Sequence, residues 1–189
     1  RVLFRSRWHH ESRGMVPPDV FIEIAEDAGL IAPLGWSILE QSCRAACEWD
    51  DTLKLAVNFS PTQFRDPNLV ETVRKVLKSC DFDPHRLEIE VTENAIMLDF
   101  NLAAQSISQL RELGVSLALD DFGTGFSSLS NLRKLPFDRI KIDRSFVSDI
   151  RDRPEDQKIV AGILALANGL ELAVTAEGIE SGGDLSFLQ

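Results

Sequence analysis

Two rhythms of apolar residues alternate along the chain. Phe21, Ile24, Ala25 and Ala28 recur at helical spacing after Pro17-Pro18-Asp19, and Gly29 closes the stretch, which predicts a helix over 20–28. Trp36, Leu39, Cys43, Ala46 and Cys47 form the stripe of a second helix over 35–49. From Leu53 onward, strand-like runs and helical stretches take turns. The runs at 53–57, 86–91, 115–119, 139–142 and 172–176 read as strands. Helical patterns occupy 67–79, 101–113, 127–135 and 154–168, and another begins near Asp184. Gly114 and Gly169 stop two of these helices and Pro136 a third. Five strand–helix units joined by turn residues predict a parallel sheet covered by helices, within one domain.

Polar groups gather where the strands end. Asn58 follows the first of them, Glu90 and Glu93 the second, and Asp120 and Asp121 the third. Lys141 and Asp143 come with the fourth, and Glu177 and Glu180 with the fifth. A doubly wound sheet needs such groups only beside its switch point. In a barrel every strand end opens into one shared mouth. The expected fold is therefore α/β, a (β/α)8 TIM-type barrel. No glycine-rich dinucleotide fingerprint follows a strand to favour the alternative.

Composition narrows the function. The chain is 44% hydrophobic and 26% charged with no apolar run of transmembrane length, as expected of a soluble globular protein without direct membrane contact. A net charge of −10 argues against clamping a nucleic-acid polymer. If the ligand is a phosphate ester, cations must mediate between it and an acidic site. Cys43, Cys47 and Cys80 are odd in number and lie in helical sequence. They read as reduced, packed thiols of a cytoplasmic protein, without the Cys/His set that zinc needs.

Ser116-Leu-Ala-Leu-Asp120-Asp121 runs from apolar residues straight into two adjacent carboxylates. Neighbouring anions beside a dry core repel each other, and a divalent cation relieves that repulsion. The competing reading makes one a turn residue and the other a helix cap. Glu90, Asp120, Asp121 and Glu177, with Asn58 as a neutral oxygen donor, form a hard-cation set suited to Mg²⁺ or Mn²⁺. Successive aspartates can serve two metals, and a two-metal site clamps both oxygens of an in-line phosphoryl displacement. Lys141, between Ile140 and Ile142, can orient a nucleophile and offset charge on a phosphorane, unless it snorkels to the surface.

Asp120-Asp-Phe-Gly-Thr-Gly125, Glu90-Val-Thr-Glu93, Val57-Asn-Phe-Ser60, Lys141-Ile-Asp143 and Ala176-Glu-Gly-Ile-Glu180 resemble, in order and spacing, the motifs of EAL-domain cyclic di-GMP phosphodiesterases. Arg7-Trp8 followed by Phe21-Ile-Glu-Ile-Ala-Glu26 is similar to the segment just after that family's Glu-Ala-Leu. The resemblance covers Arg7 to Gln189. It implies a barrel whose divalent metals hydrolyse cyclic di-GMP to linear pGpG. Asn58, Glu90 and Asp120 would bind one metal, with Asp120 and Asp121 reaching the second. Lys141 would hold the attacking water and Glu177 would be the general base. Arg7 would contact a ligand phosphate. Glu93 would anchor the 122–128 loop, and Asp143 and Glu180 would support the site. For Glu93 and Glu180 a purely structural loop-anchor role stands equally. The resemblance also suggests a homodimer, in a parent protein that could itself be membrane-anchored.

Departures from the family pattern qualify this. Its Glu-Ala-Leu falls on Leu3-Phe4-Arg5, so a metal-binding glutamate is missing, and the barrel is expected to be incomplete, with its first and last strands missing. Residues 1–6 back-translate to CGT GTG CTC TTC CGA TCT, which resembles a sequencing-adaptor sequence. They read as non-native, leaving 7–189 as a partial EAL domain that is a fragment at both ends. The intact remaining set favours an enzyme, and the missing glutamate favours a degenerate module that binds cyclic di-GMP without cleaving it. A Schiff-base barrel using Lys141 would instead require a lysine shielded from carboxylates.

Overall fold

The computed structural model describes residues 2–3, 7–124, 132–179 and 182–188. Six strands form one sheet in which each neighbouring pair is parallel. They are β1 (Val2–Leu3), β4 (Leu55–Asn58), β5 (Leu87–Thr92), β6 (Ser116–Phe122), β7 (Arg139–Ile142) and β8 (Ala173–Ala176), side by side in that order. A separate antiparallel pair, β2 (Trp8–His10) and β3 (Gly14–Val16), precedes the first helix. Among the described residues no helix is long and apolar enough to cross a membrane.

Period-two alternation sets the layers. Leu87, Ile89 and Val91 of β5, Leu117 and Leu119 of β6, and Ile140 and Ile142 of β7 face the helices, each at most 1% exposed. They meet Leu39, Leu69, Val73, Ile107 and Leu110 from the helices in a single apolar cluster. The opposite faces of the same strands carry Glu88 and Glu90, Ala118 and Asp120, and Arg139 and Lys141. The interior of this incomplete barrel is therefore polar, and its oil lies between strands and helices.

The strand–helix alternation holds, with shifts that have local causes. The second helix spans Ile31–Ala46 rather than starting at Gly35. Pro33 falls in its first turn, where a missing N–H breaks no helical hydrogen bond. Three short α-helices among the described residues were not foreseen, one of them Arg144–Val147 after β7. Pro61–Phe64 is closed by a capping box between Ser60 and Gln63, and Glu93–Leu98 follows β5 directly. Of the helix expected at 127–135, residues 127–131 lie outside the described residues. Val2–Leu3, set aside on sequence grounds, pairs with Leu55–Ala56 and occupies the sheet's first edge for two residues. Any extended segment can pair at an open edge, so this locates the segment without bearing on its origin.

Candidate metal and phosphoryl-transfer site

Each candidate residue is delivered by the end of a strand, and the backbone ladder holds it there. Phe59 N–H donates to the Glu90 carbonyl at 2.9 Å, carrying the β4–β5 pairing one residue past Asn58. Glu177 N–H donates to the Ile142 carbonyl at 3.1 Å, doing the same between β7 and β8. Gly178 follows at once with φ +72°, and a Cβ there would stand 2.6 Å from Arg144 Cβ. Glycine lets the chain turn away directly behind Glu177.

The aspartate pair depends on a break in the strand. Consecutive strand side chains point to opposite faces, so regular geometry would send Asp121 away from Asp120. Asp121 instead has φ 53°, and the β6–β7 register shifts between Leu119 and Phe122. A left-handed non-glycine residue costs on the order of 1–2 kcal/mol. That strain swings the second carboxylate back to the mouth, where oxygens of Asp120, Asp121 and Glu177 all lie within 4.8 Å of one another. The turn reading is realised at Asp121, the clustered carboxylates are compatible with the cation reading, and neither aspartate caps a helix among the described residues.

Lys141 is the hub. Its Nζ lies 2.6 Å from Glu90 Oε2, 2.7 Å from Asp120 Oδ1 and 2.7 Å from Glu177 Oε1, and the residue is 2% exposed. This excludes a snorkelling surface lysine, and its carboxylate surroundings are the opposite of a shielded Schiff-base site. Four carboxylates against one ammonium leave an excess of three negative charges among these five side chains. Burial first, and then Asp120, Asp143 and Glu177, raise the Asp121 pKa above its ordinary value, with Lys141 opposing.

The donor set fits a hard cation. The inward atom of the Asn58 amide lies 3.0 Å from both Glu90 Oε2 and Asp120 Oδ2. If that atom is nitrogen, it donates to both. If it is oxygen, three oxygens converge on one point, an arrangement that a cation between them resolves. Both orientations make Asn58 a partner of the same two carboxylates. A cleft of about 540 Å³ opens over the group, with Arg7, Asn58, Glu90, Asp120, Lys141 and Glu177 on its wall. Its apolar side comes from Phe21, Ile22, Leu34 and Ile38.

The supporting residues separate by role. Glu93 is 4% exposed and its Oε1 accepts from Gly123 N–H at 3.2 Å, so it holds the start of the loop that follows the aspartates. Gly123 has φ +100° and faces the Phe146 ring at 3.0 Å from an added Cβ. Asp143 caps the helix Arg144–Val147, accepting from Ser145 N–H at 3.0 Å and from the Ser145 hydroxyl. Burial pushes its carboxyl up, but those hydrogen bonds, with Arg144, outweigh burial and leave its pKa lowered. Glu180 lies outside the described residues. One group escaped the sequence reading. Arg139 Nε donates to Glu88 Oε2 at 3.1 Å and its Nη1 to Thr175 Oγ1 at 2.9 Å, one layer below Lys141. Glu88 precedes Glu90, and Arg139 precedes Lys141, by two residues, which puts both on the same strand face as the site, but nothing in the sequence pairs them with each other.

An open parallel barrel with an acidic, lysine-centred mouth defines the class. The family model described as EAL domain matches residues 3–189, and the chain belongs to that family. It is 46% identical over 97% of its length to an uncharacterized signaling protein of Caulobacter vibrioides, of which it covers 23%. It is 40% identical over 96% of its length to the cyclic di-GMP phosphodiesterase PdeR of Escherichia coli, of which it covers 28%. The chain thus spans about a quarter of the length of these curated relatives. Among solved structures it superimposes on the PaMucR phosphodiesterase in complex with c-di-GMP with a TM-score of 0.91. That match has 38% identity and covers 96% of this chain and 75% of the other.

Proposed function

We propose that the chain is the core of a divalent-metal-dependent phosphodiesterase that hydrolyses one phosphodiester bond of cyclic di-GMP to give linear pGpG. The observation that carries this reading is the convergence of Glu90, Asp120 and Glu177 on Lys141, with Asp121 folded back to join them. Asn58, Glu90 and Asp120 would hold one Mg²⁺ or Mn²⁺, and Asp120 with Asp121 the second. When bound, such ions supply Lewis-acid polarisation of the phosphoryl group and neutralise its charge.

The chain's own residues do the rest. Glu177 is half-buried at the rim and takes a proton from the attacking water. The Lys141 ammonium, within 2.7 Å of Glu177 Oε1, orients that water and offsets the charge developing on phosphorus. Arg7 meets a ligand phosphate across the cleft. Glu93 keeps the following loop in place, and Asp143 and Glu180 brace the elements around it. In this reading the protein works in the cytoplasm as a homodimer on a soluble dinucleotide.

A second reading has a specific observation behind it. Leu3, aligned with the family's glutamate, pairs with Ala56, two residues before Asn58. No carboxylate stands at that place, which favours a chain that binds cyclic di-GMP without cleaving it. The first reading takes residues 1–6 as non-native, and the second takes them as the protein's own. A chain carrying Leu3→Glu, Phe4→Ala and Arg5→Leu, assayed beside the present one for pGpG release with Mg²⁺ or Mn²⁺, separates the readings. Release only from the substituted chain supports hydrolysis with a missing ligand. Binding without release from either supports the degenerate module.

A further inference from the structure

Three thiols meet on the far side of the molecule from the mouth. Cys80 ends the helix Leu69–Cys80, which packs against the helix Ile31–Ala46 capped by Cys47. Glu40, Cys43, Arg44 and Cys47 are spaced i, i+3, i+4 and i+7, the four positions that frame a hole on a helix surface. Cys80 is the knob in that hole. Its Sγ lies 3.7 Å from the Glu40 carbonyl, and its own carbonyl accepts from Cys47 Sγ at 3.2 Å. All three cysteines are free thiols, with Cys43 buried, Cys80 half-buried and Cys47 exposed.

Their surroundings distinguish them. The Cys43 thiol is pushed up to about 12, first by burial and then by the neighbouring Cys80 and Cys47, so it stays protonated and unreactive. Arg44 is held more firmly protonated, first by its hydrogen bond to Glu40 and then by Cys80. Arg44 and the Cys80 sulfur therefore lie close enough to interact electrostatically. Cys47 reaches solvent and Cys80 stands next to it.

We propose that Cys47 and Cys80 are a redox pair that closes to an intramolecular disulfide on exposure to a low-molecular-weight disulfide, stapling the two helices together. The Cys47 thiolate attacks one sulfur of the oxidant and releases one thiolate. Cys80 then attacks Cys47 Sγ and releases the second. The protein loses two protons and two electrons, and one disulfide molecule becomes two thiols. The helix ends joined in this way precede the amino ends of β4 and β5, whereas Asn58 and Glu90 sit at their carboxyl ends. The device therefore acts on stability and leaves the mouth alone, whatever reaction the mouth performs.

Titration of the protein with oxidised glutathione tests this. The bond would close a separation of 33 residues. We expect one titratable thiol to remain of three, a linked Cys47–Cys80 peptide pair on mapping, and a Tm higher by about 5–10 °C that dithiothreitol reverses. Cys47→Ser and Cys80→Ser should each lose the rise. Three persisting thiols, glutathione adducts without a cross-link, or a bond mapping to Cys43 or between chains would overturn the assignment.

Discussion

Two charged layers stack inside the same barrel, and they are built on different principles. In the lower one, Arg139 donates to Glu88 at 3.1 Å and to Thr175 at 2.9 Å, a guanidinium paired with a buried carboxylate and a hydroxyl. In the upper one, Lys141 faces three carboxylates within 2.7 Å, and Asp121 adds a fourth on a strained backbone. A matched pair offsets much of its own desolvation. Four carboxylates around one ammonium do not, and their mutual repulsion opposes folding. The lower layer is there for the fold. On the proposed reading, the upper layer serves a ligand that brings positive charge.

The sharpest way to break this comparison is at Asp121. Asp121→Ala should lower pGpG release from the chain with Glu-Ala-Leu restored by about 1,000-fold, while the metal-free Tm stays the same or rises. Loss of Tm comparable to a core substitution would instead make the upper layer structural. In parallel, saturating Mg²⁺ at about 100 times its Kd should stabilise the unsubstituted site by about 2.7 kcal/mol. Replacing Asp120 and Asp121 together by Asn should erase that gain in a calorimetric scan.

The mirror experiment is Arg139→Met. Removing the guanidinium from a carboxylate that is 4% exposed should cost about 2 kcal/mol, near 5 °C in Tm, with pGpG release unchanged. Adding Glu88→Gln should recover part of the loss, because the buried carboxylate that the guanidinium faced is then neutral as well. An activity defect that persists in the double variant would couple the layers and end the division between them.

The upper layer was legible in the sequence because strand ends advertise it. Asn58, Glu90, Asp120, Lys141 and Glu177 each close an apolar run, and a barrel brings such closings together. The lower layer was not legible, because Glu88 and Arg139 lie two strands apart. They meet only because the intervening position on β6 is Ala118, in register with Glu90 on one side and Arg139 on the other. Small size at that one residue leaves room for the ion pair to cross, and no local pattern announces it. The bulge at Asp121 was hidden for a similar reason. Its left-handed φ is imposed by tertiary context on a residue with no special propensity beyond tolerance of that region. The β2–β3 pair and the helix 93–98 are too short for periodicity to reveal.

A smaller effect distinguishes two aspartates by pH. The folded-state pKa of Asp121 is raised, so the native protein holds that proton more tightly than the unfolded chain. Its contribution to stability is therefore fully present below the ordinary carboxylate value of 3.8 and is lost as pH rises through the raised value. Asp143 is lowered, so its contribution is present above 3.8 and lost as pH falls through the lower folded value. Thermal scans in EDTA should show a stability term that declines as pH rises above 3.8, flattened by Asp121→Asn and only reduced by Asp143→Asn, which removes one of the charges that raise Asp121. A slope that survives Asp121→Asn assigns the titration elsewhere in the cluster.

The smallest expected effect falls on Asp143 and marks the border of the upper layer. Sequence alone grouped it with the site because it follows Lys141 by two residues. In the fold its Oδ1 is committed to Ser145, capping a four-residue helix beneath the loop that follows Lys141. Removing a side-chain cap costs about 1 kcal/mol. Asp143→Ala should therefore lower Tm by about 3 °C, and Asp143→Asn, which keeps the capping oxygen, by less. If Asp143 only caps, Mg²⁺ affinity measured by calorimetry should be the same in both variants. If it belongs to the charged set, both should weaken Mg²⁺ equally, because both remove the same negative charge.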